Sequence, residues 1–188
     1  MVESNSVFTP ANQITLLRML LIPAFIVLVV EGELGCALAV FTVAGVTDAL
    51  DGAMARRSGK TTLGAWLDPM ADKLMLVSAF VVLTLPNLGL ANKLPLWLTA
   101  LVISRDVCIV ITVAIVNLAI GRRTFRPSIF GKIATAVYIV TVAVAMLYNY
   151  LGYHVWFVDL CIYASLAITL VSGFHYVWHA SQLLSEPA

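Results

Sequence analysis

Apolar residues run along this chain in six long stretches separated by short polar or glycine-bearing links. The stretches are Ile14 to Val30, Leu34 to Met54, Leu67 to Leu85, Leu94 to Ile120, Ile129 to Leu151 and Val155 to Trp178. A helix crossing a bilayer needs about 20 mostly apolar residues, and each stretch meets or approaches that length. Hydrocarbon offers no partners to an open sheet edge, and the runs are too long and uniform for barrel strands, so the pattern predicts helices. The links Glu31-Gly32-Glu33, Ser58-Gly59-Lys60, Pro86-Asn87-Leu88-Gly89, Gly121-Arg122-Arg123 and Gly152-Tyr153-His154 hold the breakers that end them. Links this short make successive helices antiparallel neighbours. The expected fold is an all-α integral membrane protein, a bundle of six transmembrane helices forming one domain over residues 1–188.

Composition agrees with that pattern: 61% of residues are hydrophobic, and the mean hydropathy of +0.98 lies far outside the soluble range. A net charge of +1 with no clustered basic face argues against a nucleic-acid partner. Cys36, Cys108 and Cys161 stand singly in apolar runs without C-x-x-C spacing, and are expected to be small buried hydrophobes rather than metal or redox ligands. From Met1 to Asn12 there is no basic lead-in, and no small-residue cleavage site follows, so no cleaved leader is expected. Arg56, Arg57 and Lys60 lie in the second link and Arg122, Arg123, Arg126 and Lys132 in or beside the fourth, whereas the other three links offer only Lys93. Cytoplasmic links carry the Lys and Arg excess, so both termini and the second and fourth links are expected on the cytoplasmic side. Trp97, Tyr148, Tyr150, Tyr153, Trp156, Tyr176 and Trp178 fall where an interfacial aromatic belt is expected, and His154, His175 and His179 read as polar anchors at span ends.

One stretch breaks the apolar pattern. Between Thr47 and Lys73 stand four aspartates, Asp48, Asp51, Asp68 and Asp72. Helical spacings of three and four put each pair on one face of its own helix. An Asp at the middle of a membrane helix costs roughly 2.5 to 3.5 kcal/mol, so the cluster calls for a compensating cation. Clustered oxygen donors without His or Cys favour Mg²⁺, Mn²⁺ or Ca²⁺ over zinc. Two such ions about 3.5 to 4 Å apart are the arrangement used for displacements at phosphorus. Arg56 offers a planar fork for phosphate oxygens, and Gly52 and Gly64 remove side chains where a ligand must approach. Asp68 before Pro69 also fits a helix N-cap, which accounts for one aspartate out of the four. A proton relay or cation pathway is the competing physical reading; a cation pathway has no use for a guanidinium beside its carboxylates, and the glycines with Arg56 tilt the choice toward phosphate. Asn12, Thr15 and Arg18 follow at three-residue spacing on the first helix; they read either as a cap and a snorkelling arginine or as a face bordering the aspartates.

The residues Asp48, Asp51, Gly52, Ala55, Arg56, Gly64, Asp68 and Asp72 compose D-x-x-D-G-x-x-A-R followed by G-x-x-x-D-x-x-x-D. That pattern resembles the signature of the CDP-alcohol phosphotransferases, and the N-x-x-T-x-x-R run from Asn12 to Arg18 looks like the first helix of that family. The resemblance implies a six-span fold and a reaction in which an alcohol hydroxyl attacks the lipid-bearing phosphate of a CDP-linked donor and displaces CMP. It implies Asp48, Asp51 and Asp68 as ligands of two Mg²⁺ or Mn²⁺ ions, with Asp72 as general base and further ligand. It implies Asn12, Thr15, Gly52, Arg56 and Gly64 at the nucleotide and diphosphate, CDP-diacylglycerol as donor, and a homodimer in a membrane, the bacterial inner membrane being the expected one. The L-L-R-M-L-L-I-P run and Gly131-Lys132-x-x-Thr135 look like the phosphatidylglycerophosphate synthases, whose acceptor is glycerol 3-phosphate. Ser104-Arg105-Asp106 and Arg126-Pro127-Ser128 are closer to the cardiolipin synthases of the same family, whose acceptor is phosphatidylglycerol.

Outside the signature, Arg105 and Asp106 lie within the fourth span, where ionisable residues are candidates for function. Arg105 reads as acceptor-binding or as half of a buried interhelical charge pair. Arg126 and Lys132 read as acceptor-phosphate contacts, with topology and attraction to anionic lipid as the alternative. Lys73 either snorkels or balances the acids beside it.

Overall fold

The computed structural model describes the backbone of residues 10–58, 62–120 and 129–185, and the side chains of residues 15–47, 70–71, 73–112, 129–176, 178 and 182. Its helices are α1 (Pro10–Val30), α2 (Leu34–Ser58), α3 (Thr62–Thr84), α4 (Leu96–Ile120), α5 (Ile129–Leu151) and α6 (Trp156–Ser185), with a 3₁₀ turn at Pro86–Leu88. The described residues include no strand. Among the described residues, two helical stretches, Ile129–Leu151 and Trp156–Tyr176, are long and apolar enough to cross a membrane.

Apolar patterning found these helices, and their polar ends were where it fell short. α2 continues past Met54 to Ser58, so Gly52 and Arg56 are helical, and α3 begins at Thr62 rather than Leu67. Asp68 is therefore not the cap of a new helix, because α3 runs through Asp68 and Pro69. α1 opens on Pro10, a position where a missing N–H costs nothing, and α6 extends to Ser185. At Gly32 (φ 83°) and Gly152 (φ 73°) the backbone is left-handed, and paired bonds close α1 and α5: Glu33 N donates to Leu28 O and Tyr153 N to Tyr148 O.

α1 lies against α2 and α3, α5 against α2 and α6, and α4 chiefly against α6. The core between them is built from Phe25 and Val29 of α1, Phe41 of α2, Phe80 and Leu83 of α3, and Tyr138, Val142 and Met146 of α5. Ala37, Ala44, Ala79, Ala134 and Ala145 are buried at the contacts, where a small side chain lets two helices approach. Large apolar side chains also cover the outside, including Leu20, Leu96, Ile129 and Phe174. So wide an apolar exterior is unfavourable in water and suits lipid. Cys36 and Cys108 belong to this exterior; the expectation that all three cysteines are buried holds only for Cys161. Trp97, Tyr150, Tyr153 and Trp156 are exposed near the links after α3 and α5.

That end of the bundle is pinned by Asn92. Its buried side chain donates through Nδ2 to Tyr153 O at 2.7 Å and accepts at Oδ1 from Val155 N, with His154 Nδ1 2.9 Å from the same oxygen. The connection before α4 is thereby tied to the one before α6, leaving the opposite end of the bundle to carry the acidic segment.

Candidate active site

The acidic segment occupies two helix ends that follow one another in the chain. Asp48, Asp51, Gly52 and Arg56 lie in the C-terminal half of α2, and Gly64, Asp68 and Asp72 in the N-terminal half of α3. Residues 59–61 join them, and a connection of that length reaches about 14 Å at most, so the two ends stay close. The side chains of Asp48, Asp51, Arg56, Asp68, Asp72 and Asn12 lie outside the described residues, as does Arg126 entirely.

Buried polar side chains reach this end of the bundle from α1, which packs against both α2 and α3. Thr15 is fully buried and Arg18 is 2% exposed, so Arg18 does not snorkel to an interface. It lines a cavity of about 310 Å³ together with Phe41, Thr42, Gly45 and Val46 of α2, Met75 and Leu76 of α3, and Ile139 and Ala143 of α5. Gly45 is three residues before Asp48, about 4.5 Å along α2, and Leu76 is four residues after Asp72, about 6 Å along α3. A buried guanidinium thus stands within a turn or so of both carboxylate-bearing segments. The N-x-x-T-x-x-R spacing is the signal for it, and of its two readings burial excludes the snorkelling one.

A second polar group sits across α3, on α4 and α6. Arg105 Nη1 donates to Asp106 Oδ1 at 2.7 Å, and Lys73 Nζ lies 3.5 Å from Asp106 Oδ2. Arg105 Nη2 donates to the buried Ser172 Oγ of α6. Neighbours in sequence need not meet on a helix, yet here Arg105 turns back onto Asp106 while spanning to α6. The charge pair is not limited to α4, because Lys73 brings in α3. From Ser172 a stripe of hydroxyls continues along α6 as Thr169 and Ser165; Tyr138 Oη lies 2.6 Å from Thr169 Oγ1, and Thr141 Oγ1 lies 2.8 Å from Ser165 Oγ. Nothing in the sequence paired these residues across α5 and α6. Lys132 is exposed at the start of α5 and takes no part in this network.

Chemically, the segment from Thr47 to Lys73 offers carboxylate oxygens with no His or Cys among them, a donor set that fits a hard divalent cation. Arg18 and Thr15 bring a buried cation and a hydroxyl up to the same end of the bundle.

A family model described as CDP-alcohol phosphatidyltransferase matches residues 8–177. Among curated proteins, the chain is 33% identical over 178 residues to a probable phosphatidylglycerophosphate synthase of Mycobacterium tuberculosis, covering 90% of this chain and 80% of that one. It is 30% identical over 188 residues to a CDP-diacylglycerol–glycerol-3-phosphate 3-phosphatidyltransferase of Bacillus subtilis, covering 90% of this chain and 93% of that one. It is 32% identical over 163 residues to a human cardiolipin synthase (CMP-forming), covering 76% of this chain and 52% of that one.

Proposed function

The chain belongs to the CDP-alcohol phosphatidyltransferase family, and from that premise we propose that it transfers a phosphatidyl group from CDP-diacylglycerol to glycerol 3-phosphate and releases CMP. The observation that carries this reading is the complete signature, distributed over the successive ends of α2 and α3, with Thr15 and Arg18 buried on α1, which packs against both. The named activities of the Mycobacterium tuberculosis and Bacillus subtilis relatives support glycerol 3-phosphate as the acceptor.

In the proposed reaction the acceptor hydroxyl oxygen bonds to the lipid-bearing phosphorus, the bond from that phosphorus to the CMP oxygen breaks, and CMP leaves with the electron pair. Asp72 takes the hydroxyl proton, a role that requires hydrogen-bond reach to the acceptor. Asp48, Asp51, Asp68 and Asp72 would hold one or two Mg²⁺ or Mn²⁺ ions. Bound there, such ions neutralise the diphosphate and lower the cost of the departing CMP. Arg56 forks onto phosphate oxygens, and Gly52 and Gly64 leave room for the nucleotide. Asn12 and Thr15 approach the nucleotide from α1. Arg105, Arg126 and Lys132 are the acceptor-side cations.

The reading extends to placement. The single domain spans the bilayer six times, probes the cytoplasm with the aspartate end and both termini, and resides in a bacterial inner membrane as a homodimer. The apolar exterior and the two membrane-length helices support the membrane setting. The Lys and Arg excess of the second and fourth links supports the orientation.

Phosphatidylglycerol as acceptor is the second reading, favoured by the cardiolipin synthase relative and by the Arg105-Asp106 pair. One assay separates the two. Purified protein receives CDP-diacylglycerol with either glycerol 3-phosphate or phosphatidylglycerol, and the lipid product is identified by mass. Phosphatidylglycerophosphate establishes the first reading, cardiolipin the second, and neither product with no CMP release contradicts both.

A further inference from the structure

Lys73 follows Asp72 directly in α3, so an ammonium on a flexible four-carbon stem is attached at the edge of the acidic segment. Its side chain is 50% exposed, yet its Nζ rests 3.5 Å from Asp106 Oδ2 of α4. Asp106 is itself held: its other oxygen takes a 2.7 Å bond from Arg105 Nη1, and the Arg105 side chain, 8% exposed, is anchored to Ser172 of α6. Each carboxylate oxygen of Asp106 therefore has its own cation. Arg105 fixes the carboxylate, and the fixed carboxylate holds Lys73.

This arrangement stabilises little, because a half-exposed ion pair is worth at most about 1 kcal/mol. Its consequence is where a positive charge stands. The other acids near Lys73 on α3 are Asp72 and Asp68, both in the proposed metal centre. An ammonium that left Asp106 would find its next counter-ions there and would offset part of the field that draws in a divalent cation.

We infer that Asp106, braced by Arg105 and Ser172, is a positioning residue that holds the Lys73 ammonium away from the four-aspartate centre and so reserves that centre for divalent metal. The inference rests on the reading of those aspartates as metal ligands. It assigns the Arg105-Asp106 pair a task on the metal side, acting through Lys73.

The test measures Mn²⁺ binding to the full chain in detergent without substrate, from the loss of the free Mn²⁺ electron paramagnetic resonance signal. Asp106→Asn is expected to weaken binding about ten-fold. Adding Lys73→Met to Asp106→Asn should restore affinity to within about two-fold of the native chain, since the released ammonium is then gone. Asp106→Glu should retain native affinity, and in CMP release Asp106→Asn should raise the metal concentration for half-maximal rate. Native affinity in Asp106→Asn overturns the inference while leaving the metal centre standing. So does a double variant as weak as Asp106→Asn, because the loss is then a packing defect. If the native chain binds no Mn²⁺, or binds it as tightly after Asp48→Asn, the metal reading falls and the inference falls with it.

Discussion

Asn92 and Asn149 exchange hydrogen bonds across the bundle: Asn92 N donates to Asn149 Oδ1 at 2.7 Å, and Asn149 Nδ2 donates to Asn92 O at 3.0 Å. Both residues are buried, so each bond satisfies a backbone group that has no water to turn to. Asn149→Ala leaves both groups of Asn92 unpaired and should cost about 2 kcal/mol. Thermal unfolding in micelles should show a lower midpoint. CMP release well below that midpoint should be unchanged, since α3 separates Thr84, near this pin, from Asp72 by about 18 Å.

Tyr138 tests the hydroxyl stripe inside α5 and α6. Its ring packs edge-on against Phe80 with centroids 5.7 Å apart, and its hydroxyl meets Thr169. Tyr138→Phe keeps the ring and removes the hydroxyl, while Thr169 Oγ1 still donates to Ser165 O. The expected loss is about 1 kcal/mol in denaturant unfolding, with the helical circular dichroism signal preserved. A loss several times larger would mean that the stripe acts as one cooperative network.

Arg18 is expected to matter for turnover. It is the charged residue of the cavity lined by Gly45 and Val46 of α2 and by Met75 and Leu76 of α3, next along each helix to the aspartate-bearing segments. Arg18→Met keeps most of the buried volume and removes the charge, and CMP release should fall by about 100-fold, the scale on which one preorganised donor counts. Arg18→Lys should fall less but not recover fully, because an ammonium lacks the planar fork. Size-exclusion elution separates this from misfolding, and native turnover in Arg18→Met would remove Arg18 from the site.

How much of this was legible in the sequence varies with the physics involved. Long apolar runs gave away the helices, since hydrocarbon leaves the backbone no other way to satisfy itself. Helix ends at the aspartates were harder. The short runs from Ala55 to Ser58 and from Thr62 to Trp66, broken by Arg56, Arg57 and Gly64, carry no sustained apolar pattern that marks the extra turns of α2 and α3, and Asp68-Pro69 imitates a helix start. The four aspartates stood out as acids in an apolar chain, and the full set of eight signature residues was readable through its resemblance to a family pattern. Pairings across helices were not: that Lys73 would meet Asp106, or Tyr138 would meet Thr169, depends on how α3, α4, α5 and α6 are rotated against each other. The interior position of Arg18 was left open for the same reason, because the face of α1 was evident but its neighbours were not.

The central claim is that the carboxylates on the successive ends of α2 and α3 run a metal-dependent phosphatidyl transfer. Its most direct measurement is CMP release from CDP-diacylglycerol by the purified chain with glycerol 3-phosphate, after chelation and after Mg²⁺ or Mn²⁺ is restored, in the native protein and in Asp72→Asn. The account predicts no release after chelation, full recovery with metal, and a rate at least about 100-fold lower in Asp72→Asn under saturating metal. Turnover that survives chelation, or an Asp72→Asn variant that works at the native rate, would contradict it.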